Sequence, residues 1–252
     1  MKNKLVKNTF TTLRFEEYEI KPAPPVFING NEVTIGKRKP KIIKAKGTVF
    51  SKHKIEIEPL ALALLKIDLN DDDEDIAYKF TKNWGFLDFT QKFNEAKGIP
   101  YAQSQKFFEE GDEEKFIKNY FEPTRLWKDL SFYLHYLFYL NEYSLSQINN
   151  IFLKNDELPN RFIYHDSINF ELHNRVSPAL GFKKDKLDSI NLKTDSLYGA
   201  VLMFAIDNFY REIRQCDGPT CRQMFFVKRK GRKFCEPNGK CAKAYERLNR
   251  KK

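Results

Sequence analysis

All four cysteines of this 252-residue chain lie within 26 residues near its C-terminus. They form two pairs, Cys216 with Cys221 and Cys235 with Cys241, separated by 13 residues. Glycine and proline inside each pair favour tight turns, and a tight turn aims both sulfur atoms of a pair at one point. Paired thiolates of this kind are typical of a structural zinc site. We therefore predict that these four cysteines bind one Zn²⁺.

The predicted site has a complete set of ligands. No histidine lies between Cys216 and the last residue, and four thiolates leave no coordination position open for a substrate. The predicted zinc is therefore structural and not catalytic. A redox or disulfide role is the alternative, but in a reducing compartment clustered cysteines hold metal more often than disulfides.

The same part of the chain carries the net charge. Residues 211–252 contain 14 lysines and arginines against four acidic residues, a net charge of +10 that equals the net charge of the whole chain. Residues 1–210 contain 30 bases and 30 acids. Concentrated positive charge on a rigid scaffold is typical of a surface that meets a polyanion, and phosphate backbones are the most common partner.

A solvated, solubilising tail is the alternative interpretation of this charge. A metal scaffold would instead hold the charges in a fixed geometry. We predict contact with nucleic acid, and with double-stranded DNA in particular. The predicted contact residues are Arg229, Lys230, Arg232 and Lys233 at a hairpin tip and Lys243, Arg247 and Arg250 on a terminal helix.

The segment between the two cysteine pairs predicts a β-hairpin. One strand covers residues 223–228, the turn lies at Gly231, and the chain returns through Lys233 and Phe234. The residues after Cys241 have high helix propensity. One face of that helix is expected to carry Lys240, Lys243, Arg247 and Arg250.

Several residues of this segment follow a known arrangement. Phe225 and Arg232-Lys233 lie between the cysteine pairs, Phe234 precedes the third cysteine, and Lys243 follows the fourth. In this arrangement residues 211–252 resemble the CGNR zinc-finger family, although the family's Gly-Asn-Arg after the fourth cysteine is Ala-Lys-Ala here. The resemblance implies a bacterial transcription regulator whose finger binds DNA and whose N-terminal domain is a sensor.

Residues 1–210 predict an α+β body. Residues 1–58 alternate apolar and polar side chains, as strands do, and residues 59–210 are mainly helical in pattern. The two strongest helices are expected from Arg125 to about Tyr143 and from Leu197 to about Arg214. The fold class is thus α+β, a mostly helical body with a β-rich N-terminal part, followed by a small four-cysteine finger at 211–252. The expected core includes Trp127, Leu130, Leu134, Leu137, Leu202 and Ile206.

Catalytic motifs are absent from the sequence. It contains no phosphate-binding glycine loop, nucleophile elbow or two-histidine metal motif, which disfavours an enzyme. The acidic run at residues 71–75 is expected to start a helix, and His135 is expected to be a core residue. We find no secretory signal and no apolar run long enough to cross a bilayer. A cytoplasmic protein with no membrane partner is therefore expected.

Three functions follow from these observations. The main prediction is a zinc-binding protein that contacts DNA through its basic finger and regulates transcription, with a body that senses a signal or forms a homodimer. The first alternative is a structural zinc-finger scaffold that binds protein or RNA. The second is an enzyme, such as a nuclease or toxin, with a structural finger.

Overall fold

The structure, a computed structural model, describes residues 9–28, 31–33, 40–96, 112–139, 161–183, 186–221, 223–227, 231–235 and 239–250. Its helices and antiparallel sheets confirm the predicted α+β class. The predicted contact residues Arg229 and Lys230, and the end of the helix that was expected to reach Tyr143, lie outside the described residues.

Antiparallel strands form the N-terminal part of the body, as predicted. They are β1 (Thr9–Phe15), β2 (Tyr18–Pro22), β3 (Val26–Ile28), β4 (Asn31–Val33), β5 (Lys41–Ala45) and β6 (Phe50–Glu56). Strand β1 pairs with β6, β2 with β5, and β3 with β4. A later strand, β7 (Phe121–Pro123), adds to the free side of β5. The sheets pack against the helices through buried side chains such as Leu13, Phe15 and Ile43.

Helices form most of the remaining body. They are α1 (Ile57–Leu64), α2 (Asp73–Trp84), α3 (Phe89–Ala96), α4 (Asp112–Asn119), α5 (Leu126–Tyr139), α6 (Arg161–Arg175) and α7 (Leu197–Asn208). Between α6 and α7 lies an antiparallel hairpin of β8 (Ser177–Lys183) and β9 (Lys186–Lys193). A final helix, α8 (Lys240–Asn249), follows the cysteine pairs.

The acidic run at residues 71–75 starts helix α2, as predicted. The Asp72 side chain accepts a hydrogen bond of 2.7 Å from the Glu74 amide, which satisfies a donor at the helix start. The helix ends at Gly85, whose φ of 84° suits glycine. A Cβ at this position would lie 2.8 Å from the Leu13 carbonyl oxygen, so the glycine also allows the helix end to approach strand β1 closely.

Helices α5 and α7 form the centre of the core. Trp127, Leu130, Leu134 and Leu202 are fully buried, which confirms these predicted core residues. Leu137 packs at the edge of the core, and Ile206 is only partly buried because it lies near the end of α7. The one polar atom of the Trp127 ring is satisfied, since Nε1 donates to Thr81 Oγ1 over 2.8 Å.

Two predictions for the chain after α7 are wrong. The helix expected to reach Arg214 ends at Asn208, and the chain continues into strand β10 (Ile213–Gln215). That strand pairs with β11 (Met224–Phe226), so the hairpin encloses the first cysteine pair. The predicted returning strand through Lys233 and Phe234 does not form. Tertiary packing explains both differences, because the β10–β11 pairing places Phe226 in the body's core.

Two buried carboxylates, not identified from the sequence, lie beside the core. Glu122 is 2% exposed and accepts hydrogen bonds from the amides of Leu87 (3.0 Å) and Asp88 (2.7 Å) and from the Tyr120 hydroxyl (2.7 Å). Burial, and then the charge of Asp88, raise the pKa of Glu122 to about 7. These bonds tie β7 to the loop between α2 and α3.

Arg175 forms an ion pair with one of these two carboxylates, that of Asp88. Its guanidinium lies 2.6 Å from an Asp88 oxygen and 4.3 Å from the centre of the Tyr198 ring. The Ser196 hydroxyl donates to the same carboxylate over 2.6 Å and accepts from the Gly199 amide at the start of α7. Because every charged group here has a partner, the cluster fixes α6, α7 and β7 relative to one another.

Candidate metal centre

Local turns bring the four cysteines together. The Cys221 amide donates to the Gly218 carbonyl over 3.0 Å, which closes a turn inside the first pair. The Asp217 amide donates to the Lys233 carbonyl over 3.0 Å and so holds the second pair beside the first. Cys241 lies in the first turn of α8, after Gly239 has reversed the chain with a φ of 71°. Residues distant in sequence therefore meet at one point.

The sulfur atoms have the spacing of a metal site. All four lie within 4.8 Å of one another, and no other such cluster of candidate ligands occurs in the described residues. The Cys221 and Cys235 sulfur atoms are 3.5 Å apart, and those of Cys235 and Cys241 are 3.9 Å apart. Sulfur atoms at the corners of a tetrahedron with metal–sulfur bonds of about 2.3 Å would be about 3.8 Å apart. The cluster is thus positioned to hold one metal ion.

Backbone amides prepare one sulfur to be a thiolate. The amides of Cys235 and Gly218 each donate to the Cys216 sulfur over 3.4 Å. Burial raises the pKa of the Cys216 thiol, but these two hydrogen bonds, together with those to the Cys235 and Cys221 side chains, lower it, and the net shift is downward. Burial and the neighbouring sulfurs raise the pKa of Cys241 to about 11. Four thiolates at this spacing therefore require a bound cation to offset their mutual repulsion.

Gly218 allows the cluster to close. A Cβ at this position would lie 3.0 Å from the Cys241 Cβ and 3.1 Å from the Cys221 Cβ. Both distances are shorter than ordinary van der Waals contact, so a larger residue would push the two cysteine pairs apart. The glycine in the first turn is therefore part of the metal centre as well as of the turn.

The finger shares a core with the body. Phe226 is 1% exposed and its ring contacts Phe138 of α5 and Phe204 of α7, with ring centres 5.4 and 5.7 Å apart. The Arg211 guanidinium lies 4.3 Å from the centre of the Phe226 ring and 3.6 Å from Glu58 of α1. These contacts pack the finger against the body.

Arg232, a predicted phosphate contact, has a role inside the finger. Its guanidinium donates to the carbonyls of Phe234 (2.8 Å) and Cys235. It also lies 5.0 Å from the centre of the Phe225 ring. This side chain therefore holds the segment before the third cysteine onto strand β11, and its contact with phosphate stays a prediction.

The other predicted contact residues in the described part of the chain are exposed. Lys233 is exposed, and so are Lys240, Lys243 and Arg247 on α8 and Arg250, the residue that caps its C-terminal end. The spacing of these four places them on one face of α8. The opposite side of the helix contacts the finger through Tyr245, whose ring centre lies 5.7 Å from that of Phe234. The row of bases thus starts next to a metal ligand.

Three further ionisable side chains, all in the body, are buried: His135, Glu122 and Asp88. His135 is 3% exposed, and burial lowers its pKa to about 4, so it is a neutral core residue as predicted. The Glu122 and Asp88 carboxylates are engaged in the buried cluster described above. The roles of these three groups are therefore structural.

Among the helices of the described residues, none combines the length and the apolar character that crossing a bilayer would require. Comparison with known proteins gives no match, whether to protein families, to curated proteins or to solved structures.

Proposed function

We propose that this chain is a cytoplasmic zinc protein that contacts double-stranded DNA through its C-terminal finger and regulates transcription. The observation that carries the proposal is the exposed row of bases on α8, which begins next to Cys241 in the four-cysteine cluster. The resemblance of residues 211–252 to CGNR fingers supports the same function. The body, residues 1–210, would sense a signal or form a homodimer.

Zinc is the metal that suits this donor set. Four thiolates in tetrahedral arrangement select Zn²⁺ or iron–sulfur chemistry, and the turn-based pairs of this cluster are the usual frame for a single zinc ion. Bound zinc would have no open coordination position, so its role would be to hold the two cysteine pairs together. Cys216, Cys221, Cys235 and Cys241 would hold it, with the amides of Gly218 and Cys235 stabilising the Cys216 thiolate.

The row of bases on α8 has dimensions that suit a phosphate backbone. Lys240 and Arg250 are ten residues apart, which corresponds to about 15 Å along a helix. One DNA strand places a phosphate about every 3.4 Å along the duplex axis. No acidic side chain of the described residues forms an ion pair with Lys240, Lys243, Arg247 or Arg250. The row is therefore able to face several successive phosphates.

Charge reversal on α8 tests this surface. In the variant Arg247→Glu/Arg250→Glu, affinity for duplex DNA is expected to fall by about tenfold or more for every sequence, because phosphate contacts are lost. The magnitude of the slope of log K against log salt should decrease by about 2. Binding is measured by fluorescence anisotropy with several unrelated duplexes.

The matched control reverses two exposed lysines of strand β6, Lys52→Glu/Lys54→Glu, which changes the net charge by the same amount. This control is expected to weaken binding much less and to leave the salt slope unchanged. Equal weakening by both double variants would show that net charge, and not the α8 face, determines binding. Loss confined to one base position would instead indicate direct readout by these side chains.

One observation favours the scaffold alternative. Phe226 lies in the body's core, so the finger also fastens the chain after α7 to helices α5 and α7. A finger that only staples the fold would show no salt-sensitive binding to DNA. The α8 variants therefore separate the two functions.

A further inference from the structure

A large groove lies between the body and the finger. Its volume is about 1110 Å³. Helices α1 and α2 line it on the body side, and strand β11 lines it on the finger side. Small-molecule sites commonly have volumes of about 300–1,000 Å³, so a drug-sized ligand would fit. Of the four predicted metal ligands, Cys235 alone lines the groove, so the groove borders the metal centre at this one residue.

The groove contains apolar and aromatic side chains from both sides. Phe80 and Trp84 come from α2, and Met224 and Phe225 come from β11. Phe80 and Phe225 are each 6% exposed, whereas Trp84 and Met224 are half-buried. A ligand with an apolar body would gain contact with these groups.

Carboxylates outnumber bases among the described residues that line the groove. These acidic residues are Glu56, Glu58, Asp71, Asp72 and Asp75, against two lysines, Lys66 and Lys79. Glu58 pairs with Arg211 at 3.6 Å, and Asp72 caps helix α2. Glu56, Asp71 and Asp75 are exposed, and within the described residues no ion pair neutralises their carboxylates. The groove is thus acidic, although the adjoining finger is strongly basic.

We propose that this groove binds a hydrophobic organic cation. The carboxylates would attract the positive charge, and Trp84, Met224 and Phe225 would contact the apolar body of the ligand. The same carboxylates repel phosphates, so nucleic acid bound to α8 would not occupy the groove. The proposal depends only on the groove's own residues and holds whether or not the finger binds DNA.

The first experiment compares two probes of the same shape and opposite charge. Tetraphenylphosphonium is a hydrophobic cation, and tetraphenylborate is the corresponding anion. Titration calorimetry of the full-length protein is expected to show one site for the cation, with affinity that decreases as salt is added. Binding of the anion should be at least about tenfold weaker, because the acidic lining repels it. Comparable affinity for both probes, or no binding of the cation, would overturn the proposal.

Variants locate the site. Glu56→Gln/Asp75→Asn removes two of the free carboxylates and is expected to weaken tetraphenylphosphonium binding by about tenfold. Lys79→Gln removes a competing positive charge and should instead strengthen it by about twofold. The control Glu16→Gln/Glu17→Gln removes the same charge from exposed residues that do not line the groove.

The control should leave affinity nearly unchanged. The site would be supported if tetraphenylphosphonium affinity falls in Glu56→Gln/Asp75→Asn and rises in Lys79→Gln, with the melting temperatures of both variants unaltered. If both variants match the wild-type protein, or if the control weakens binding as much as Glu56→Gln/Asp75→Asn, the groove is not where the cation binds.

Discussion

Replacing Cys235 by serine is expected to abolish metal binding and to unfold the second half of the finger. The Cys235 sulfur lies 3.5 Å from that of Cys221 and 3.9 Å from that of Cys241, so its loss removes a ligand that lies next to a sulfur of each pair. A structural zinc site contributes roughly 10–16 kcal/mol of apparent binding free energy. Without that contribution, helix α8, which has no buried residue, has little to hold it in place.

The effect should stop at strand β11. Phe226 remains in the core between α5 and α7, so these helices should keep their protection from hydrogen exchange. The amides of residues 231–235 and of α8 should lose protection. Elemental analysis should return about one zinc ion per chain for the wild-type protein and none for the variant. The control Thr220→Ser changes an exposed neighbour of Cys221 and should keep the metal. Full zinc content in Cys235→Ser would contradict the proposed ligand set.

The substitution Leu134→Asp is expected to be the most damaging change in the body. Leu134 is fully buried among the side chains of the core. An aspartate there would place an unpaired charge in an apolar interior, which costs at least about 4–5 kcal/mol. Since whole domains are stable by only about 5–15 kcal/mol, this loss should remove between about a third and nearly all of the stability and lower the melting temperature strongly.

Thermal denaturation measures this loss. The matched control is Leu192→Asp in strand β9, where the leucine is 41% exposed and the same change should cost less than about 1 kcal/mol. A melting temperature for Leu134→Asp within a degree or two of the wild-type value, about what a negligible change in stability gives, would show that α5 is not the core helix.

Features that depend on neighbouring residues were predictable from the sequence. The acidic run before Ile76 determines the start of α2 locally, and this start was expected. The clustering of the cysteines was likewise expected, because turns inside each pair act over a few residues. The apolar faces of α5 and α7 identified four fully buried core residues for the same reason, Trp127, Leu130, Leu134 and Leu202.

Features that depend on distant residues were not predictable. Helix α7 ends at Asn208 because β10 pairs with β11 and buries Phe226. No short sequence pattern near Asn208 predicts that pairing. Asp88 and Arg175 meet across 87 residues of sequence, so their ion pair has no sequence pattern. In the sequence Arg232 is one more basic residue of the predicted DNA contact. In the structure its guanidinium donates hydrogen bonds to backbone carbonyls of the finger itself. The opposite charges of the groove and α8 likewise emerge only in three dimensions.

The most direct test of the central claim measures duplex DNA binding by the full chain over a range of salt concentrations, with the protein zinc-loaded and then stripped by a chelator. The zinc-loaded protein should give a slope of log K against log salt of about −5, as expected for roughly six phosphate contacts at about −0.9 each. Stripping should abolish binding, because the bases of α8 lose their fixed position beside the cysteine cluster, and added zinc should restore it. Absence of salt-sensitive binding by the zinc-loaded protein at about 50 mM salt, where phosphate contacts are strong, or equal binding by the stripped protein, would contradict the account.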